Sequence, residues 1–170
     1  MTIILVLWYN ISVKKFPFDI YIGGTLMEIA IIAHDMKKEL MAQFCIAYCG
    51  ILSKHRLCAT GITANYISEA TGLEIEHLLA GEHGGEQQIA SRIAYNEIDV
   101  LLYFRDTRPK DFHDENENEL LRMCDYYNIP FATNIAMAEV LVCALDRGDL
   151  DWREIVNPRS DYNRRKEGHF

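Results

Sequence analysis

The sequence predicts an α/β fold, a five-stranded parallel sheet flanked by helices. Three observations predict it. Short apolar runs alternate with longer stretches of helical periodicity from Met27 to Asp146. One run, Val100–Phe104, is apolar throughout, as a parallel strand covered on both faces should be. Each run is followed by a polar or glycine-rich segment, at the strand ends where open parallel sheets bind their ligands.

The elements follow in order. Ile29–Ala33 reads as the first strand, with a long amphipathic helix from about Met36 to Leu52 after it. Leu40, Met41, Phe44, Cys45, Tyr48, Ile51 and Leu52 recur there at helical spacing. A short strand at Arg56–Ala59 leads through the loop Thr60-Gly61-Ile62-Thr63 to a helix, Asn65–Ala70, stopped at Gly72. The strand Ile75–Leu79 precedes the helix Gln87–Asn96. After the strand Val100–Phe104 comes a polar loop, Arg105 to Asn116, and a helix, Glu117–Tyr127. The strand Ile129–Ala132 and the helix Ala136–Asp146, stopped by Gly148, complete the alternation.

At 170 residues the chain is one domain, long enough for a substantial core. A hydrophobic fraction of 49% and a charged fraction of 25% are those of an ordinary soluble protein. The net charge of −8 argues against a nucleic-acid partner held through phosphates, although a small phosphorylated ligand needs only a local site. Five cysteines, an odd number without a CxxC pair, read as reduced core thiols of a cytoplasmic protein rather than as a zinc site.

The first 26 residues do not match the rest. Ile3–Tyr9 is apolar but too short to span a membrane, and it lacks the basic start of a signal peptide. Met27 opens the clean strand pattern, so residues 1–26 are expected to be a non-native leader or an N-terminal extension. The domain is expected over residues 27–156, with a basic tail over 157–170.

The polar strand ends collect the candidate chemistry. They are His34 with Asp35, Thr60 to Thr63, Gly81 to Glu86, Asp106 with His113, and Thr133 with Asn134. Gly81-Glu82-His83-Gly84-Gly85-Glu86-Gln87-Gln88 is the focus. A glycine-rich turn between strand and helix brings backbone N–H groups close to an anion, and Glu86 stands at the helix entrance as a candidate base. Thr60-Gly61-Ile62-Thr63 offers hydroxyls, amides and a helix N-terminus to a phosphate. Lys38 would add a charge, but taken alone it reads as part of a solvated helix face.

Several motifs in register resemble one family. Ala33-His34-Asp35 with Lys38, Ala59-Thr60-Gly61-Ile62-Thr63, Gly81 through Gln88, Phe104-Arg105-Asp106, His113-Asp114, Leu120-Leu121-Arg122 and Ile129 to Asn134 look like methylglyoxal synthase. The match runs in order from Met27 to about Trp152. The resemblance implies a Rossmann-like three-layer domain and a homohexamer. It implies conversion of dihydroxyacetone phosphate to methylglyoxal and inorganic phosphate, a bypass of glycolysis, without metal or organic cofactor and without a membrane. It further implies that Glu86 stands at the family's catalytic carboxylate and that His34 and His113 contact substrate oxygens. Lys38, Thr60 and Thr63 match phosphate ligands, Gly81 matches a backbone ligand, and Asp35 and Asp106 match supporting acidic residues. Gly61, Ile62 and Ala80 belong to the same substrate-binding loops.

Four positions depart from the family's pattern. Glu86 replaces an Asp, which adds a methylene to the base, and a misplacement of about 1 Å costs on the order of 10²-fold in rate. Ile62 replaces a Thr and Ala80 a Ser. Each lost hydroxyl removes a hydrogen bond to a charged group, worth ~1.5–3 kcal/mol. Asn116 replaces an acidic residue. A second reading therefore stands beside the synthase, a non-catalytic phosphate-ligand sensor like the regulatory domain attached to carbamoyl phosphate synthetase. A third is a lyase or isomerase for another sugar phosphate.

Overall fold

The first strand is also the central one. β1 (Glu28–Ala33) pairs in parallel with β2 (Arg56–Thr60) on one side and β4 (Val100–Phe104) on the other. β3 (Glu76–Leu78) adds to β2 and β5 (Phe131–Ala132) to β4, giving the order β3-β2-β1-β4-β5. The computed structural model describes residues 25–106 and 115–153. Residues 1–24 of the expected leader, the expected tail and His113 lie outside the described residues.

Alternation along the strands sorts the core into two sheets of contact. Ile29, Ile31, Leu57, Leu102 and Phe104 face one way. They pack against α1 (Lys38–Ala47), α3 (Gly61–Thr71) and α6 (Ile135–Asp146), through Met41, Phe44, Ile67 and Val142. Ala30, Ile32, Cys58, Leu101 and Tyr103 face the other way, against α4 (Gly85–Ala94) and α5 (Glu115–Tyr126). Val100–Phe104 is buried at every position, so its unbroken apolar pattern is explained by helices on both faces. The architecture is the three-layer α/β domain expected from the sequence.

Several boundaries differ from the sequence reading. The helix expected from Met36 to Leu52 is three pieces: a 3₁₀ turn at Asp35–Lys37, α1, and α2 (Cys49–Leu52). The break is at Tyr48, whose φ of −107° and ψ of 18° leave the helical region. Its ring packs on Phe44, 4.8 Å between centroids, and the short α2 carries Gly50, a poor helix former. Beyond the break Leu52 is fully buried. α3 starts at Gly61, so Gly61 to Thr63 form its first turn rather than a loop. α4 starts at Gly85, which puts Glu86 inside its first turn. α5 starts at Glu115, so Asn116 is helical and not in the polar loop.

At the amino ends of the strands a buried ion pair joins Arg153, past α6, to the sheet. Arg153 Nε donates to Asp99 Oδ1 at 3.3 Å, Nη1 to the Asn128 carbonyl at 2.6 Å and Nη2 to the Ile98 carbonyl at 3.3 Å. Asp99 Oδ2 accepts the Glu28 N–H at 2.9 Å. Burial holds the Arg153 guanidinium below its ordinary pKa, and Asp99 opposes the shift. All five cysteines are free thiols, and burial pushes those of Cys45, Cys58 and Cys124 up to about 12. Among the described residues no helix is long and apolar enough to cross a membrane.

Candidate active site

The chain builds β1, β2 and β3 to one side, then returns to build β4 and β5 on the other. The reversal lies between β1 and β4, and open α/β sheets bind ligands beyond the carboxyl ends of the strands at such a point. His34 leaves β1 there. Its N–H donates to the Phe104 carbonyl at 3.1 Å, which ties the two strand ends together.

The imidazole of His34 is held from both sides. The Asp106 N–H donates to Nδ1 at 2.9 Å, and Nε2 lies 3.0 Å from Tyr103 Oη. A backbone N–H can only donate, so Nδ1 is the acceptor and the ring proton sits on Nε2. Nε2–H then donates to Tyr103 Oη, and the tyrosine hydroxyl donates to Glu86 Oε1 at 3.1 Å. The two rings meet edge to face, with centroids 5.3 Å apart at 87°. Three elements thus converge in one directional chain: β1 through His34, β4 through Tyr103 and α4 through Glu86.

The residues around Glu86 explain how it gets there. Gly84 has a φ of +97°, a left-handed turn suited to glycine. A Cβ on Gly85 would lie 2.1 Å from the Leu79 carbonyl oxygen and 3.0 Å from Thr60 Cγ2, so α4 packs on its own entry strand through bare backbone. The Gly85 N–H donates to the Ala80 carbonyl at 3.0 Å, and Gln88 Oε1 accepts the Leu79 N–H at 2.7 Å. The motif Gly84-Gly85-Glu86-Gln87-Gln88 therefore pins the helix start with a turn, a close approach and a side-chain strap.

The second loop abuts the first. Gly61 N–H donates to the Leu79 carbonyl at 3.2 Å. Thr60 stands at the N-cap of α3 without a side-chain capping bond; its hydroxyl donates to Thr63 Oγ1 at 3.2 Å. Thr63 is fully buried, and its hydroxyl points to the Ala33 carbonyl at 3.5 Å. Ile62 is half exposed at the helix N-terminus, where first-turn amides have no intrahelical partner. Ala80 begins the 3₁₀ turn Gly81–His83, and Gly81 is exposed, with open space where a side chain would be. Lys38 is not on a solvated face: its residue is buried, and its ammonium pairs with the exposed Asp35 carboxylate.

Of the expected site residues, His34, Glu86 and Asp106 share one network, Asp106 through its backbone N–H. Thr60, Gly61 and Thr63 flank it. Asn134 instead caps α6 by accepting the Met137 N–H at 3.0 Å, and the Thr133 carbonyl accepts the Arg105 N–H at 3.4 Å. Sequence reasoning missed Tyr103, which was absorbed into an apolar strand. Two signals were available: Tyr103 shares a strand face with Leu101, and a buried tyrosine hydroxyl usually finds a partner.

The family model described as MGS-like domain matches residues 41–133. The methylglyoxal synthase of Caldicellulosiruptor saccharolyticus is 60% identical over 138 residues, which are 81% of this chain and 98% of that protein. The methylglyoxal synthase of Oceanobacillus iheyensis is 50% identical over 142 residues, 84% of this chain and 99% of that protein. Among solved structures, a methylglyoxal synthase from Elizabethkingia anophelis superposes with a TM-score of 0.66 at 34% identity, covering 71% of this chain and 79% of that one.

Proposed function

Since the chain belongs to the methylglyoxal synthase family, we propose that it is a lyase converting dihydroxyacetone phosphate to methylglyoxal and inorganic phosphate. The observation that carries this reading is a carboxylate and a neutral imidazole two hydrogen bonds apart, Glu86 and His34, at the switch point of the sheet.

The chemistry needs these types. Glu86 takes a proton from the hydroxymethyl carbon beside the carbonyl, leaving an enediolate. His34, with its proton on Nε2, donates to the oxygen on which negative charge grows, as His113 is expected to do. Electrons then move from the enediolate to expel phosphate, with the breaking C–O bond held out of the enediolate plane. The enol that remains gains a proton on carbon and becomes methylglyoxal. Thr60, Ile62, Thr63, Ala80 and Gly81 bound the phosphate, mainly through amides, with Gly61, whose N–H is taken by the Leu79 carbonyl, joining the two loops, and Lys38 adds charge already oriented by Asp35. With Ile62 and Ala80 in place of hydroxyl residues, phosphate is held more weakly than by a site with both. The working form is a cytoplasmic homohexamer; exposed Ile46, Tyr66, Met137 and Val140 supply apolar surface for subunit contact.

The test is release of methylglyoxal and phosphate from dihydroxyacetone phosphate, with Glu86→Gln as the control. One-to-one release of both products, reduced in the variant by on the order of 10²–10⁴, is the expected result. No release by the folded protein would overturn the reading.

A further inference from the structure

Tyr103 is fully buried in the middle layer, yet its hydroxyl is the one group that joins Glu86 to His34 in the chain described above. A phenol has one proton to give. Nε2–H of His34 donates to Oη, so the phenol proton is directed to Glu86 Oε1. Oε1 is thereby engaged, and the carboxylate is left one oxygen, Oε2, for a substrate proton.

The reach is also matched. Tyr103 is held in the core: it is the fourth of the five residues of β4, fully buried in the same cluster as Ile89 and Ile93 of α4. Glu86 has three side-chain torsions, and an unrestrained Glu in a first helical turn would sample several of their staggered states. A fixed donor at 3.1 Å selects among them. The extra methylene of a glutamate base then serves to span from α4 to the tyrosine on β4.

We propose that Tyr103 is a positioning residue that holds the Glu86 carboxylate and the His34 imidazole in register for proton abstraction. This role rests on the reading of the chain as a methylglyoxal synthase.

The experiment is Tyr103→Phe, which removes one buried oxygen, assayed beside the unsubstituted protein on dihydroxyacetone phosphate. Expected are a KM within about twofold and a kcat lowered about ten- to hundredfold, as for loss of one hydrogen bond to a charged group. The primary deuterium isotope effect on kcat, with substrate deuterated at the hydroxymethyl carbon, should rise. A double-mutant cycle with Glu86→Asp should be non-additive, because the shorter side chain withdraws from Oη. An unchanged kcat, or a rise in KM without a change in isotope effect, would overturn the role while leaving the synthase reading standing. An unsubstituted protein that releases no product would overturn the synthase reading and the role with it. A second measurement does not depend on how Tyr103→Phe folds: ¹⁵N shifts of His34 in the unsubstituted protein should read a proton on Nε2. A proton on Nδ1 would reverse the direction of the chain and sink the proposal.

Discussion

The Asp106 N–H and His34 Nδ1 stand 2.9 Å apart, and that single bond decides which side of the imidazole can donate. Residues 72 positions apart in sequence meet because β1 and β4 are neighbours and His34 and Asp106 both lie just past their carboxyl ends. Any residue other than proline supplies the same N–H at position 106, so the bond belongs to the backbone.

This bond makes the two amide substitutions of His34 unequal. Gln places its amide nitrogen near the position of Nε2 and keeps a donor there; Asn keeps only an acceptor near Nδ1. His34→Asn is expected to lose about 10²–10³ in kcat, the cost of removing one preorganised oxyanion donor. His34→Gln should lose less. Steady-state kinetics of the pair check this; equal losses would mean that Nε2 is not the working nitrogen.

Gly85 and Gly81 are close in sequence but differ in surroundings. Gly85→Ala drives a methyl group into the Leu79 carbonyl, and backbone cannot yield as a side-chain tip can. A loss of about 1–3 kcal/mol or more is expected, as in other overpacked sites. Gly81→Ala meets open space and should change stability by less than about 0.5 kcal/mol. Thermal melts distinguish them, at roughly 2–4 °C per kcal/mol for a chain of this length.

The Arg153–Asp99 pair predicts a different pattern. Arg153→Met removes the guanidinium from the buried Asp99 carboxylate and its bonds to two carbonyls, Asn128 and Ile98. The expected loss is about 3–5 kcal/mol. Arg153→Met with Asp99→Asn should recover part of it, since the side chain at position 99 then carries no charge. Urea unfolding of the two variants beside the unsubstituted protein tests this, and a double variant less stable than Arg153→Met alone would contradict it.

His55 should make stability depend on pH. Its Nδ1 accepts the Met27 N–H at 3.3 Å. Burial, then the nearby Lys54 cation, lowers its pKa from the ordinary value; Asp146 and Asp151 oppose this. The folded state therefore favours the neutral ring. The stabilisation is fully present above the unfolded value of about 6.5 and is lost as pH falls through the lower folded value. Urea midpoints should fall between pH 7.5 and pH 5.5, and His55→Gln should flatten that fall. An unchanged slope in the variant would place the pH dependence elsewhere.

The sequence by itself determined the layers. The unbroken apolar runs of β1 and β4 are local patterns, and burying them requires helices on both sides of a parallel sheet. The glycine turn before Glu86 was legible for the same reason, because backbone conformation is written in adjacent residues. What only the tertiary structure decided is who meets whom. The order β3-β2-β1-β4-β5 set His34 beside Asp106 and brought Tyr103 under Glu86, pairs 72 and 17 residues apart. Periodicity assigns a residue to a face but not to a partner, so Tyr103 passed for plain core, and Lys38 by its spacing alone read as a solvated face. Tyr103 became the link between Glu86 and His34, and Lys38 a buried side chain paired with Asp35, only when strand order, burial and distance acted together.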